Sequence, residues 1–192
     1  MTICCAVKTE EGIYMGADSL GTNGFTGRAF KDSKVIKKND FLIGACGSYR
    51  LINLLKYKFN PPKKKVGQDI YDYIHIDFCD ELITVFKNNG LLETNDNINK
   101  LRQSEFIFAH ENRLFTFQSD CSVIEPKQDY IACGSGEYHA EASLFSTHNT
   151  KLSGEERIKR AIVCANNFVV SVNDDIVIEF LKNDEDGKNV SY

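Results

Sequence analysis

The second residue of this chain is a threonine, and once exposed as the first residue it would carry two reactive groups on one carbon. Its hydroxyl is a nucleophile, and its α-amine, with an ordinary pKa of about 7.7–8.0, can accept a proton near neutral pH. A threonine activated by its own terminal amine is an established form of covalent catalysis. The amine is free only after Met1 is removed, and the small Thr2 side chain suits removal by a methionine aminopeptidase. Asp18, in Gly-Ala-Asp-Ser, and Lys34, in Lys-Asp-Ser-Lys, follow at equal intervals. A small-residue turn, Gly44-Ala45-Cys46-Gly47-Ser48, ends a hydrophobic run, and Gly134-Ser135-Gly136 comes much later.

The elements that must position these residues can be read from hydropathy patterns. Residues 2–8 and 13–17 read as paired strands around the turn Thr9–Gly12. Residues 20–29, rich in Gly and Thr with little apolar content, read as a loop. Residues 34–37 and 41–45 flank Asn39-Asp40 as a second hairpin. A helix is predicted from Tyr49 to Phe59, ended by Pro61-Pro62. Val66, Ile70, Ile74, Phe78, Leu82 and Val85 then trace one face of a long helix closed by Asn88-Asn89-Gly90. Leu91 to Arg102 is polar and ambiguous. Strands are predicted at 105–110, 113–117, 122–124 and 130–133. Two helices follow, one over about 137–145 and one announced by Ser153-Gly154-Glu155-Glu156, a capping-box pattern. The last strand is 176–180, and the polar tail 183–192 is expected to fray.

Runs of strands and runs of helices in this order argue for an α+β fold. The arrangement of Thr2, Asp18, Lys34, the glycine turn and Gly-Ser-Gly resembles the proteasome β-subunit family, closest in style to the bacterial ATP-dependent protease core particle. The resemblance covers nearly the whole chain. It implies the N-terminal nucleophile hydrolase fold, a four-layer αββα sandwich of two antiparallel sheets flanked by helix pairs, here as a single domain over 1–192. It implies a threonine-type endopeptidase acting on polypeptides in a homo-oligomeric ring, with a possible ATP-dependent unfoldase as partner. Thr2 would attack, and Asp18 would be the counter-charge of Lys34. Lys34 would keep the amine unprotonated and favour the alkoxide. The Gly47 N–H would donate to the oxyanion, with Gly44 or the Ser48 N–H as substitutes, and Ser135 would orient the terminal amine. The family also carries an acidic residue and a serine in its late helix. Here that stretch is Ala165 to Ser171, with Asp174-Asp175 set aside as too far along. Tyr49 and Arg50 are expected to narrow or charge the substrate pocket. A small-amide hydrolase on this fold and a catalytically silent scaffold subunit are the alternative functions.

Composition bounds the remaining possibilities. The chain has 192 residues, 42% of them hydrophobic and 26% charged, enough for a sizeable core. No apolar run approaches the roughly 20 residues of a membrane span, and the start lacks the pattern of a secretory signal. A net charge of −4 gives no electrostatic case for nucleic-acid binding. Seven cysteines without a CxxC pair read as free buried thiols in a reducing cytoplasm. The four histidines form no zinc-like cluster with them. No metal or cofactor is expected. Gly134-Ser135-Gly136 is not a dinucleotide fingerprint, because His139 stands at its third glycine and no repeated βαβ pattern surrounds it.

Overall fold

The computed structural model describes residues 2–95, 98–101 and 104–183. One sheet is built from β1 (Ile3–Lys8), β2 (Gly12–Asp18), β12 (Tyr130–Gly134) and β13 (Ile176–Lys182), in the order β12-β1-β2-β13. The second contains β5 (Val35–Lys38), β6 (Phe41–Cys46), β9 (Glu105–His110), β10 (Arg113–Phe117) and β11 (Val123–Ile124), in the order β11-β10-β9-β6-β5. Neighbouring strands in both sheets are antiparallel.

Period-two alternation along the strands explains why the sheets stack. On β1, Ile3, Cys5 and Val7 face α4 (Glu137–Ser146) and α5 (Gly154–Phe168), packing with Leu144, Ile158 and Ile162. Cys4 and Ala6 face the other way, toward Leu42 and Ile107 of the second sheet. The outer face of that sheet carries Phe106, Phe108 and Phe117 against α1 (Tyr49–Tyr57) and α3 (Cys79–Asn88). Three cores between four layers result, the αββα sandwich that the resemblance implied. Aromatic rings fill the outer core, with Phe106 and Phe117 stacked at 4.8 Å. The middle core relies on small side chains. A Cβ added at Gly44 would meet Cys4 Cβ at 3.2 Å and Met15 Sδ at 3.0 Å, so glycine there permits close approach of the sheets.

The expected helix starts and stops are found where capping chemistry exists. Ser48 caps α1, and Ser153 with Glu156 forms a reciprocal capping box on α5. Three readings need correction. Residues 20–29 are a projecting hairpin, β3 (Leu20–Asn23) and β4 (Thr26–Ala29), which backbone pairing supports with almost no apolar burial. Val66 is fully exposed before the helix rather than on its buried face. Asp69 caps α2 (Ile70–Asp72), and a wide π-helical stretch, Tyr73–Phe78, leads into α3. The widened turn interrupts the regular α-helix, yet Ile74, Phe78, Leu82 and Val85 still face one core, with Ile70 packed against it, as the pattern predicted. The ambiguous segment contains β7 (Leu92–Asn95) and β8 (Ile98–Leu101). Of the tail expected to fray, Asn183 bonds the Glu11 carbonyl at 3.0 Å, and 184–192 lies outside the described residues. Among the described residues no helix is long and apolar enough to cross a membrane.

Candidate active site

Thr2, Asp18 and Lys34 meet at one end of the sandwich, all nearly completely buried. Thr2 precedes β1, Asp18 ends the adjacent β2, and Lys34 precedes β5 across the interface between sheets. Thr2 Oγ1 lies 2.5 Å from Asp18 Oδ1. The Lys34 ammonium has three protons to donate and three acceptors around it. These are Thr2 Oγ1, Asp18 Oδ1 at 2.7 Å and the Leu20 carbonyl at 2.7 Å. Asp18 in turn accepts from the Ile3 N–H at 3.0 Å and, through its other oxygen, the Leu20 N–H at 3.1 Å. A buried cation and a buried anion are thus paired, and the threonine hydroxyl lies against both. Burying such a pair is tolerable only with this complement of hydrogen bonds.

The backbone around the hydroxyl is shaped by two glycines. Gly47 has φ +107°, and Gly134 has φ +97°, a region that disfavours any side chain. A Cβ at Gly134 would lie 2.4 Å from the Thr2 carbonyl oxygen. The Gly134 N–H is held by Glu105 Oε1 at 3.0 Å. Ser135 Oγ donates to the Thr2 carbonyl at 3.2 Å and lies 3.1 Å from the hydroxyl of buried Ser171. A cleft of about 730 Å³ opens beside Thr2, lined by Gly47, Ser48, Arg50, Ser104 and Ser135 among others. Arg50 therefore borders the substrate space. Tyr49 does not, since its ring turns edge-on to Phe30 at 5.2 Å, and burial, with Asp18 and Asp32 nearby, pushes its phenol up.

All five residues singled out from sequence, Thr2, Asp18, Lys34, Gly47 and Ser135, border this end of the sandwich. Sequence reasoning named Ser171 only as the end of the late stretch, set Asp175 aside as too far along and passed over Asn173. Asn173 Oδ1 and the Asp175 carbonyl both accept from the Ser19 N–H, at 3.1 and 2.9 Å, and Asp175 Oδ2 accepts from Ser19 Oγ at 2.7 Å. The segment after α5 thereby clamps the residue beside Asp18. The pairing of Ile176 with Asp18 brings this acidic group to the site, and no local motif announces that register.

No protein-family model matches the chain. The ATP-dependent protease subunit HslV of Caldanaerobacter subterraneus is 32% identical over 184 residues, covering 94% of this chain and 98% of that protein. HslV of Borreliella burgdorferi is 27% identical over 187 residues, covering 95% and 97%. Among solved structures, the Thiobacillus denitrificans BPH complex with epoxomicin superimposes with a TM-score of 0.79 at 17% identity, covering 94% of this chain and 98% of that one. HslV of Trypanosoma brucei gives 0.68 at 18% identity, covering 94% and 99%.

Proposed function

This chain belongs to the HslV family of ATP-dependent protease subunits, proteasome-like N-terminal nucleophile hydrolases, and is a threonine-type peptidase; we propose that Thr2, freed by removal of Met1, is its nucleophile. The observation that carries this assignment is the Lys34 ammonium placed against both Thr2 Oγ1 and Asp18. Thr2 Oγ attacks the scissile carbonyl, and its proton passes to the α-amine directly or through a water. Lys34 favours the alkoxide and keeps the adjacent amine unprotonated. Asp18 holds Lys34 in place. The Gly47 N–H faces the developing oxyanion, a contribution of roughly 2.7–4 kcal/mol to the barrier. The protonated amine then gives its proton to the leaving amine, and water attacks the resulting ester. Ser135 and Ser171 fix the backbone that carries the amine.

The relatives are named as subunits of an ATP-dependent protease. By that likeness we assign this chain to a homo-oligomeric ring that encloses its sites, served by an ATP-dependent unfoldase and fed with polypeptides in the cytoplasm. Exposed Tyr138 and Phe145 on α4, with Val163 and Phe168 on α5, support a contact between copies there. The middle core shared by both sheets supports reading 1–192 as one domain. Intact mass before and after incubation with a peptide epoxyketone tests the assignment. The expected result is a chain lacking Met1 that gains one inhibitor, with no adduct on Thr2→Ala. Native material that retains Met1, or Thr2→Ala with undiminished peptide hydrolysis, would overturn it. A monomer by light scattering at micromolar concentration would overturn the ring.

A further inference from the structure

Behind the cleft, three thiols that the reaction does not use come together. Cys4 is on β1, Cys133 on β12 and Cys46 at the end of β6, so the group bridges the two sheets. All three are buried, and their Sγ atoms lie within 4.8 Å of one another. The Sγ atoms of Cys46 and Cys133 are 2.9 Å apart. Gly44 permits this, because any side chain there would push β1 and β6 apart. Cys46 is also part of the cleft wall beside Thr2 and Gly47, the side from which a small oxidant would approach this buried group. A closed zinc site would want a fourth ligand, and among the described residues no histidine or carboxylate joins the cluster. Instead Cys46 Sγ lies 3.2 Å from the Cys133 carbonyl oxygen, a partner suited to a thiol and not to a metal-bound thiolate.

We propose that Cys46 and Cys133 are a modification site for hydrogen peroxide, closing to a reversible disulfide that disables Thr2. The Cys46 sulfur attacks one peroxide oxygen, the O–O bond breaks, and a sulfenic acid and water are formed. The Cys133 sulfur then attacks the Cys46 sulfur, the S–O bond breaks, and a second water leaves with the Cys133 proton. Two thiols are oxidised by two electrons, and one peroxide is reduced to two waters. Cys4 completes the cluster beside these two thiols. Burial opposes its ionisation, but the Cys133 and Cys46 thiols and the Lys34 ammonium outweigh that and bring it down to about 5. Burial and the neighbouring sulfurs push Cys46 and Cys133 up, so both enter the reaction as thiols and each gives its proton to a departing water.

The effect on turnover rests on the assignment of Thr2 as nucleophile. Cys46 directly precedes Gly47, and Cys133 directly precedes Gly134 and Ser135. Closing the sulfurs from 2.9 Å to a bond of about 2.0 Å draws both segments together. Misplacement by about 1 Å near a reacting centre costs on the order of 100-fold in rate. The test treats the full-length, Met1-free protein with hydrogen peroxide, maps its disulfides by peptide mass spectrometry and measures peptide hydrolysis. A Cys46–Cys133 cross-link, roughly 100-fold lower turnover, and recovery of both with dithiothreitol are expected. Cys133→Ser should form no cross-link and keep its turnover through the same treatment. Half-buried Cys164 reports that oxidant was sufficient. Oxidation of Cys164 without the cross-link overturns the site, and so does equal inactivation of Cys133→Ser. A cross-link with undiminished turnover overturns the coupling to Thr2. The cross-link is read whether or not Thr2 is the nucleophile, so failure of that assignment remains distinguishable.

Discussion

The hydroxyls of Ser135 and Ser171 lie 3.1 Å apart, one in the Gly-Ser-Gly turn after β12 and the other past the end of α5. Ser135 also donates to the Thr2 carbonyl, so Ser171 reaches the nucleophile's backbone through one intermediary. Ser171→Ala removes about one hydrogen bond, worth about 1 kcal/mol. The expected outcome is roughly fivefold lower kcat/KM for a peptide substrate with Met1 removal complete. Ser135→Ala, which loses both contacts, should cost more.

The pairing of Lys34 with Asp18 predicts strong coupling. Asp18→Asn or Lys34→Met alone leaves one buried group uncompensated, at about 3–5 kcal/mol. The double variant should recover a large part of that loss in urea unfolding, because it leaves no lone charge. All three variants should be inactive. Additive losses in the double variant would show that the two residues act independently.

Gly47→Ala tests the turn. At φ +107° a side chain is strained by about 1–3 kcal/mol, and relief of that strain rotates the N–H away from the cleft. A fall in kcat of about 100- to 1,000-fold is expected, read with epoxyketone labelling that slows in parallel.

His110 predicts an acid-side loss of stability. Burial holds its pKa below the usual value against the pull of Asp40 and Glu111, with Lys64 adding to the depression. The unfolded imidazole takes a proton near about pH 6.5, and the folded one only below that. As pH falls through this window the unfolded state binds more protons, so stability declines until the folded value is passed. His110→Phe, stacked as His110 is on Phe41, should flatten that part of the stability profile in thermal melts.

Much of this site was legible because Thr2, Asp18, Lys34, the glycine turn and Gly-Ser-Gly are local motifs that together carry the resemblance to the proteasome β-subunit family. The helix caps were legible for the same reason, since Ser153 and Glu156 are a local signal. Ser171, Asn173 and Asp175 were not legible, because their roles depend on β13 pairing with β2. The hairpin at 20–29 buries too little apolar surface to leave a hydropathy pattern. At Val66 the pattern misled, since a valine happens to stand in phase with a helix that begins only at Ile70. The thiol cluster could not be foreseen either. Alternation shows which face Cys4 occupies, but not that Cys46 and Cys133 stack against it.

The clamp of Ser19 by Asn173 and Asp175 joins residues 154 and 156 positions apart. Thr2 and Asp18 are translated well before the strand that seats their neighbour, Ile176–Lys182. Closing so long a loop comes late in folding, because its entropy must be overcome before the contact forms. A nascent chain therefore carries Thr2 in an unfinished frame until residues 173–182 have been made. The order of translation itself delays proteolytic competence until that late strand can pair.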